Sequence, residues 1–174
     1  MRVAGRLQRE VNSVGLGPQP SAVEKSARTH LDRFDEIVTF ESLRTSSRSL
    51  FANGHYARAV EEAFKCLNNV IKEKSRLDEL DGDALMRRAF SAENPAIKVN
   101  RFRSKSEKDE QRGYMELYAG AMTGIRNPRA HEHQLEDTPE AALEMLTIAN
   151  HLFRKLESSR RSRIKKGRAS TRRT

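Results

Sequence analysis

An all-α fold, a bundle of four or five helices, is what three features of this 174-residue chain predict. Apolar residues recur at three- and four-residue steps in successive segments, the spacing that gathers side chains on one face of a helix. Glycine and proline are sparse, nine and five, which disfavours a turn-rich β architecture. Hydrophobic residues are 36% of the chain and charged residues 33%. That supplies apolar surface for one core at a length that suits a single domain.

The elements follow in order. Residues 1–21, punctuated by "VGLGPQPS", read as a loose leader. A first helix is expected from Ala22 to about Phe40, with Val23, Ala27, Leu31, Phe34 and Val38 on one stripe. A second helical piece over 41–54 ends at Asn53-Gly54, because glycine enters the left-handed region without a Cβ clash. The segment 55–77 carries Tyr56, Ala59, Val60, Ala63, Phe64, Leu67, Val70 and Ile71 at helical steps, with Glu61, Glu62, Lys65, Lys72 and Glu73 on the other faces. A short helix over 81–91 is capped by Asp81 or Asp83. Residues 92–109 break the periodicity with Pro95, a brief β-like "AIKV" and many charges, and form a long connection. Helical spacing resumes over 110–127 through Tyr114, Leu117, Tyr118, Ala121, Met122 and Ile125. Gly113, Gly120 and Gly124 are costly there, and close approach of a neighbouring helix is the expected reason. Pro128 then stops or kinks the helix. The last helix, 137–159, has Thr138 as N-cap and Pro139 at its first position, with Leu143, Leu146, Ala149, Phe153 and Leu156 as its buried stripe and Ile148 and Leu152 widening it. The domain is thus expected over 22–157.

The net charge of +9 is local. Residues 158–174, "SSRRSRIKKGRASTRRT", hold eight Lys/Arg and no acid; removing those eight from the 33 basic residues leaves 25 against 24 acidic ones. A segment so charged and so poor in large apolar groups is expected to be a disordered basic tail, able to hold phosphates through counterion release. A single cysteine, Cys66, excludes an internal disulfide framework and fits a reducing, cytoplasmic setting; beside an apolar stripe it reads as a small hydrophobe. The N-terminal residues hold no uninterrupted apolar h-region, so no secretory signal is expected. No run of 18 apolar residues occurs, so no membrane span is expected either.

Glycine-rich phosphate loops, dinucleotide fingerprints and Cys/His zinc spacings are absent from the sequence. His131-Glu132-His133 is a poor metal site, since residues two apart do not share a helix face. The stretch "AMTGIRNPRAHE" (121–132) is different. Arg126 and His131 are separated by four residues, within the spacing of four to six used by nucleases that pair an Arg with a His. With 23 Arg and five His the bare pattern recurs, in Arg48–His55 and Arg126–His133. Context separates 126–131 from these. Asn127 follows the Arg directly, and the pair lies where an amphipathic helix runs out. Pro128 interrupts the helix, so the pair need not keep helical phasing, and a kink there can swing the imidazole back beside the guanidinium. RNA supplies its own nucleophile in the ribose 2′-OH. The protein then needs a proton carrier near neutral pH, which histidine provides, and a fixed cation for the phosphate, which arginine provides. A twofold dimer would bring two of each into one cleft. The bland alternative is that Asn127-Pro128 ends a helix and His131 faces water.

The blocks "NGHYARAVEEAFKCLNNVIKEKS", "DGDALMRRAFSAENPAI", "GIRNPRAHE" and "EAALEMLTIANHLFRKL" together resemble the Ymh-type family of conserved hypothetical proteins, which is placed in the HEPN superfamily. The likeness spans about residues 45–157, in order. It implies a HEPN-like helical bundle, and it places the family's motif on Arg126, Asn127 and His131. HEPN domains commonly dimerise and act as metal-independent endoribonucleases, as toxins or antiviral defence effectors of bacteria and phages. What the resemblance implies is therefore a cytoplasmic homodimer without cofactors that cleaves RNA by 2′-OH attack, alongside an antitoxin or defence-system partner protein. Other members of the superfamily are non-catalytic dimerising nucleic-acid-binding or adaptor modules, and this is the rival expectation. A DNA-binding regulator is the weakest of the three, as no helix-turn-helix element is evident.

Overall fold

The computed structural model describes residues 22–132 and 134–162, so the expected leader (1–21) and the last twelve residues lie outside the described residues. The all-α expectation holds. Helices α1 (Ala22–Ile37), α2 (Glu41–Ala52), α3 (Tyr56–Ser75), α4 (Gly82–Ala89), α5 (Lys105–Gly120), α6 (Asn127–His131) and α7 (Pro139–Ser158) account for most of the fold. A π-helical turn (Ala121–Arg126) joins α5 to α6 without a break.

Helix α3 is central. Its apolar stripe, Ala59, Val60, Ala63, Phe64, Leu67 and Ile71, is fully buried, and α2, α4, the π-helical turn, α6 and α7 pack around it. The turn before it is set by Gly54 at φ +80, a conformation that a Cβ would strain. Helices α1 and α2 are tied by Asp35, whose carboxylate accepts hydrogen bonds from Arg44 Nη2 (2.9 Å) and from Arg48 Nε and Nη2 (2.8 and 2.7 Å). Asn150 of α7 holds the turn between α1 and α2, its Oδ1 accepting from the Thr39 N–H and hydroxyl. The ring of Tyr118 stacks on Phe90, and its hydroxyl donates to the Leu152 carbonyl at 2.7 Å. This contact locks α5 against α7, and burial pushes the phenol well above its ordinary range.

Several boundaries differ from expectation. Helix α1 stops at Ile37 and its first turns stand off the core. Val23 is 78% exposed and Ala27 is exposed, while Phe34 and Val38 are fully buried. Helix α5 begins at Lys105, five residues early, because Ser104 and Glu107 form a reciprocal capping box. The "AIKV" segment does form a strand, β1 (Ile97–Lys98). It pairs antiparallel with β2 (Arg160–Arg161), within the segment expected to be a disordered tail from 158. Ser162 extends the pairing by donating its N–H to the Ala96 carbonyl. Glu61, placed on a solvent face by the helical pattern, is 2% exposed; Arg58 and Lys65, one turn either side, neutralise it. The glycines do not meet a neighbouring helix. Gly113, Gly120 and Gly124 face outward, and a Cβ at any of them would touch nothing within 4 Å. Ile148, expected to widen the buried stripe of α7, is 43% exposed. Among the described residues no helix is long and apolar enough to cross a membrane.

Two outcomes follow from this packing. Gly113→Ala is expected to stabilise the chain by about 0.5–1 kcal/mol in urea unfolding, since the site is helical and open. The Arg48 hydrogen bonds hold the Asp35 carboxyl below its ordinary value of 3.8. A depressed acid contributes stability that is complete above the unfolded-state value and is lost as pH falls through the folded one. Asp35→Asn should therefore be less stable than the parent at neutral pH, with the difference shrinking towards strong acid in a pH series of thermal melts.

Candidate functional site

The site begins with a missing hydrogen-bond donor. Pro128 has no N–H to offer the carbonyl four residues back, and its ring crowds that carbonyl. The backbone answers by widening one turn. Asn127 donates its N–H to the Met122 carbonyl, five residues back, in the π-helical pattern. Such single-turn widenings are frequent at functional sites. Helix direction is preserved, so Pro128 sits at the start of α6, where a missing N–H is tolerated.

Arg126 and Asn127 are brought together. Both are half-buried, and Arg126 Nη1 donates to Asn127 Oδ1 at 3.2 Å. Arg126 Nε is buried with no hydrogen-bond partner, and no carboxylate pairs with this guanidinium among the described residues. A buried, unpartnered donor on a fixed cation is costly, and an incoming anion would satisfy it. His131 is exposed on the last turn of α6, and its side chain makes no hydrogen bond among the described residues. The backbone does not break between Arg126 and Pro128. Arg126 (φ −70°, ψ −48°) and Asn127 (φ −63°, ψ −42°) are both right-handed helical. The irregularity ends at Arg126 instead of separating it from His131. The pair therefore keeps the phase of a continuous helix, about 140° apart around the axis, and no hydrogen bond joins the two side chains. His133 lies outside the described residues.

A residue that sequence reasoning passed over holds this geometry. Arg129 Nε and Nη2 donate to the two Asp137 carboxylate oxygens at 2.6 and 2.7 Å, and Nη1 donates to the Ile125 carbonyl at 2.8 Å. Both side chains are only 9% exposed. The bidentate pair ties α6 to the loop before α7, and the third bond clamps the π-helical turn. The sequence signal was present as a second arginine in "RNPRAH", but the carboxylate eight residues on lies across a loop. Asp137 also borders an open cleft of about 420 Å³ with His55, Tyr56, Arg58 and Glu136. Arg58 there is already engaged by Glu61 and Glu62.

The remaining chemistry-bearing residues are quieter. Cys66 is half-buried against the core, and desolvation pushes its thiol up, as suits a small hydrophobe more than a nucleophile. Among the described residues, no three His, Cys, Asp or Glu side chains converge as a metal would require.

Compared with known proteins, residues 41–156 match the sequence model of a family described as "Protein of unknown function (Hypoth_ymh)". The match begins at α2 and ends near the close of α7, so it includes the π-helical turn, Arg126, Asn127 and His131. No curated protein matches the chain, and no solved structure matches it.

Removing one partner of the Arg129–Asp137 pair leaves the other charged and largely buried. Asp137→Asn is expected to cost on the order of 3 kcal/mol in denaturant unfolding. The double variant Arg129→Met/Asp137→Leu should recover much of that loss.

Proposed function

The chain belongs to the Hypoth_ymh family, and we propose that it is a metal-independent endoribonuclease of the HEPN type, acting as a homodimer in a bacterial or phage defence or toxin system. The observation that carries this reading is Arg126: a half-buried guanidinium with an unpartnered Nε and no carboxylate, next to a helical widening and one and a half turns from an exposed histidine.

The chemistry assigns a role to each group. The ribose 2′-oxygen forms a bond to phosphorus as the bond to the 5′-oxygen breaks, leaving a 2′,3′-cyclic phosphate and a 5′-hydroxyl. One proton leaves the 2′-OH and one reaches the 5′-oxygen. An imidazole suits either transfer near neutral pH. Arg126 would hold the phosphate through its guanidinium fork and meet the charge that builds on its oxygens. Asn127, bonded to Arg126 Nη1, would orient that fork. A single His131 supplies one proton carrier, and a twofold partner supplies the second.

A surface for that partner is available. Tyr118 and Tyr114 bridge α5 to Leu152 and His151 of α7. Within one turn of these bridges lie the exposed side chains Leu117 (55%) and Ile148 (43%). The outward glycines 113, 120 and 124 follow the same side of α5 and the π-helical turn as Leu117. Small residues beside exposed apolar ones permit a second helix to approach closely, and a second copy is the occupant this reading requires.

The rival, a non-catalytic dimerising adaptor, is favoured by one observation: no side chain among the described residues orients His131. Cleavage decides between them. Purified chain and His131→Ala are incubated with end-labelled RNA in EDTA, and product ends are analysed. The nuclease reading expects cyclic-phosphate ends from the parent. It also expects losses of about 10²–10⁴-fold for His131→Ala and 10²–10³-fold for Arg126→Ala at unchanged melting temperature. A His131→Ala protein that cuts as fast as the parent refutes the assignment.

A further inference from the structure

Five arginines of the fold are committed to carboxylates: Arg44 and Arg48 to Asp35, Arg58 to Glu61, Arg87 to Glu116 and Arg129 to Asp137. One cluster is not. Lys98, Arg101, Arg103 and Arg160, with Asn100, line an open cleft of about 320 Å³ beside the β1–β2 ribbon, and none of these four cations forms an ion pair among the described residues. The ribbon sets Lys98 directly opposite Arg160, a like-charge cross-strand pair that weakens strand pairing. The acids nearest the cleft are already in use. Glu107 Oε2 accepts from the backbone N–H groups of Arg103 and Ser104. Glu110 is held by Lys155 and by the Asn100 amide.

The cleft is also built on a rigid frame. Buried Gln111 donates to the Phe90 and Ile97 carbonyls and accepts from the Val99 N–H, which pins β1 to α5. Asn100 Oδ1 accepts from the Phe102 N–H. Phe102 is held at φ +57, a left-handed conformation unusual for an aromatic residue. Strain of this kind persists only where the surroundings enforce it, and it gathers at binding sites. It leaves the Phe102 ring half-exposed between Arg101 and Arg103, with the ammonium groups of Lys98 and Lys108 at 5.4 and 5.8 Å from its centre. The chain then continues from β2 into residues 163–174, which hold six more Lys/Arg.

We propose that this ribbon cleft is a second site, a platform for single-stranded nucleic acid in which Lys98, Arg101, Arg103 and Arg160 hold backbone phosphates and Phe102 stacks on a base. Forked guanidinium groups match phosphate oxygens, and an aromatic face set among cations is the arrangement that binds unpaired strands without sequence preference. An acidic peptide would use the cations but leave the ring without a planar partner, and a duplex hides its base faces. The inference does not depend on cleavage.

The test is fluorescence anisotropy in a His131→Ala background, which keeps the probe intact, using a labelled 16-nucleotide single-stranded RNA and the matching duplex. Phe102→Gly removes the ring and relieves the left-handed strain. Its affinity for the single strand should fall roughly 5- to 150-fold, the loss of one base stack, while duplex binding is unchanged. Arg101→Ala/Arg103→Ala alters two exposed side chains without intrachain partners. It should lower the slope of log affinity against log salt by about 1.4. Matched single-stranded DNA is expected to follow RNA, because neither contact requires a 2′-OH. Parent-like single-strand binding by Phe102→Gly, an equal loss on the duplex, or an unchanged salt slope in the double variant overturns the proposal. Cleavage by the parent chain is read separately, so the failure of either reading is distinguishable from failure of the other.

Discussion

Nine residues of α3, from Ala59 to Ser75, are withdrawn from water, and the elements that cover them include those that carry the candidate site. Burial of that helix supplies the main apolar driving force of the fold. It also fixes where the π-helical turn and α6 lie, because both pack against it. Arg126 is therefore presented by a backbone that cannot shift without opening the core. The polar residues that accompany this burial are satisfied locally: Glu61 by Arg58 and Lys65, and Asn68 by the Gly82 N–H.

Within that frame, Pro128 sets the shape of the site. A proline in a continuing helix removes one donor and crowds one carbonyl. Here the chain absorbs the defect one turn upstream, between Ala121 and Arg126, and so continues as α6 in the same direction. Arg129 completes the repair by spanning from the Ile125 carbonyl to Asp137. The consequence for function is that Arg126 and His131 share one rigid helical rod and diverge around it. On the proposed reading, a reaction that uses both would draw on a second protomer, for which the outward glycines beside Leu117 leave room.

The charge of the molecule is divided between two regions with different logic. Around the core, cations and carboxylates pair, and such surface pairs each contribute little. At the ribbon, cations gather without partners around a strained phenylalanine. The cost of that gathering is borne by a framework of Gln111, Asn100 and the capping box at Ser104. A basic C-terminal segment and a basic cleft formed by residues 98–103 are thus continuous through β2.

Periodicity determined the helical class and, Ile148 apart, the buried stripes of α3 and α7, while cap and turn chemistry marked the Thr138–Pro139 start of α7 and the Asn53-Gly54 stop. All of these depend on interactions within a few residues, which spacing records directly. The adjacency of Arg126 and Asn127 was legible for the same reason. What only tertiary structure decided depends on partners distant in sequence or on cooperative backbone choices. The pairing of Ile97–Lys98 with Arg160–Arg161 joins segments some sixty residues apart, so the tail's first residues could not be seen as strand. Asp137 meets Arg129 across a loop, and Gln111 is buried because three backbone groups converge on it. A proline can break, kink or widen a helix at similar local cost. Which of these occurs is settled by what the next turn must pack against, and here that is α3.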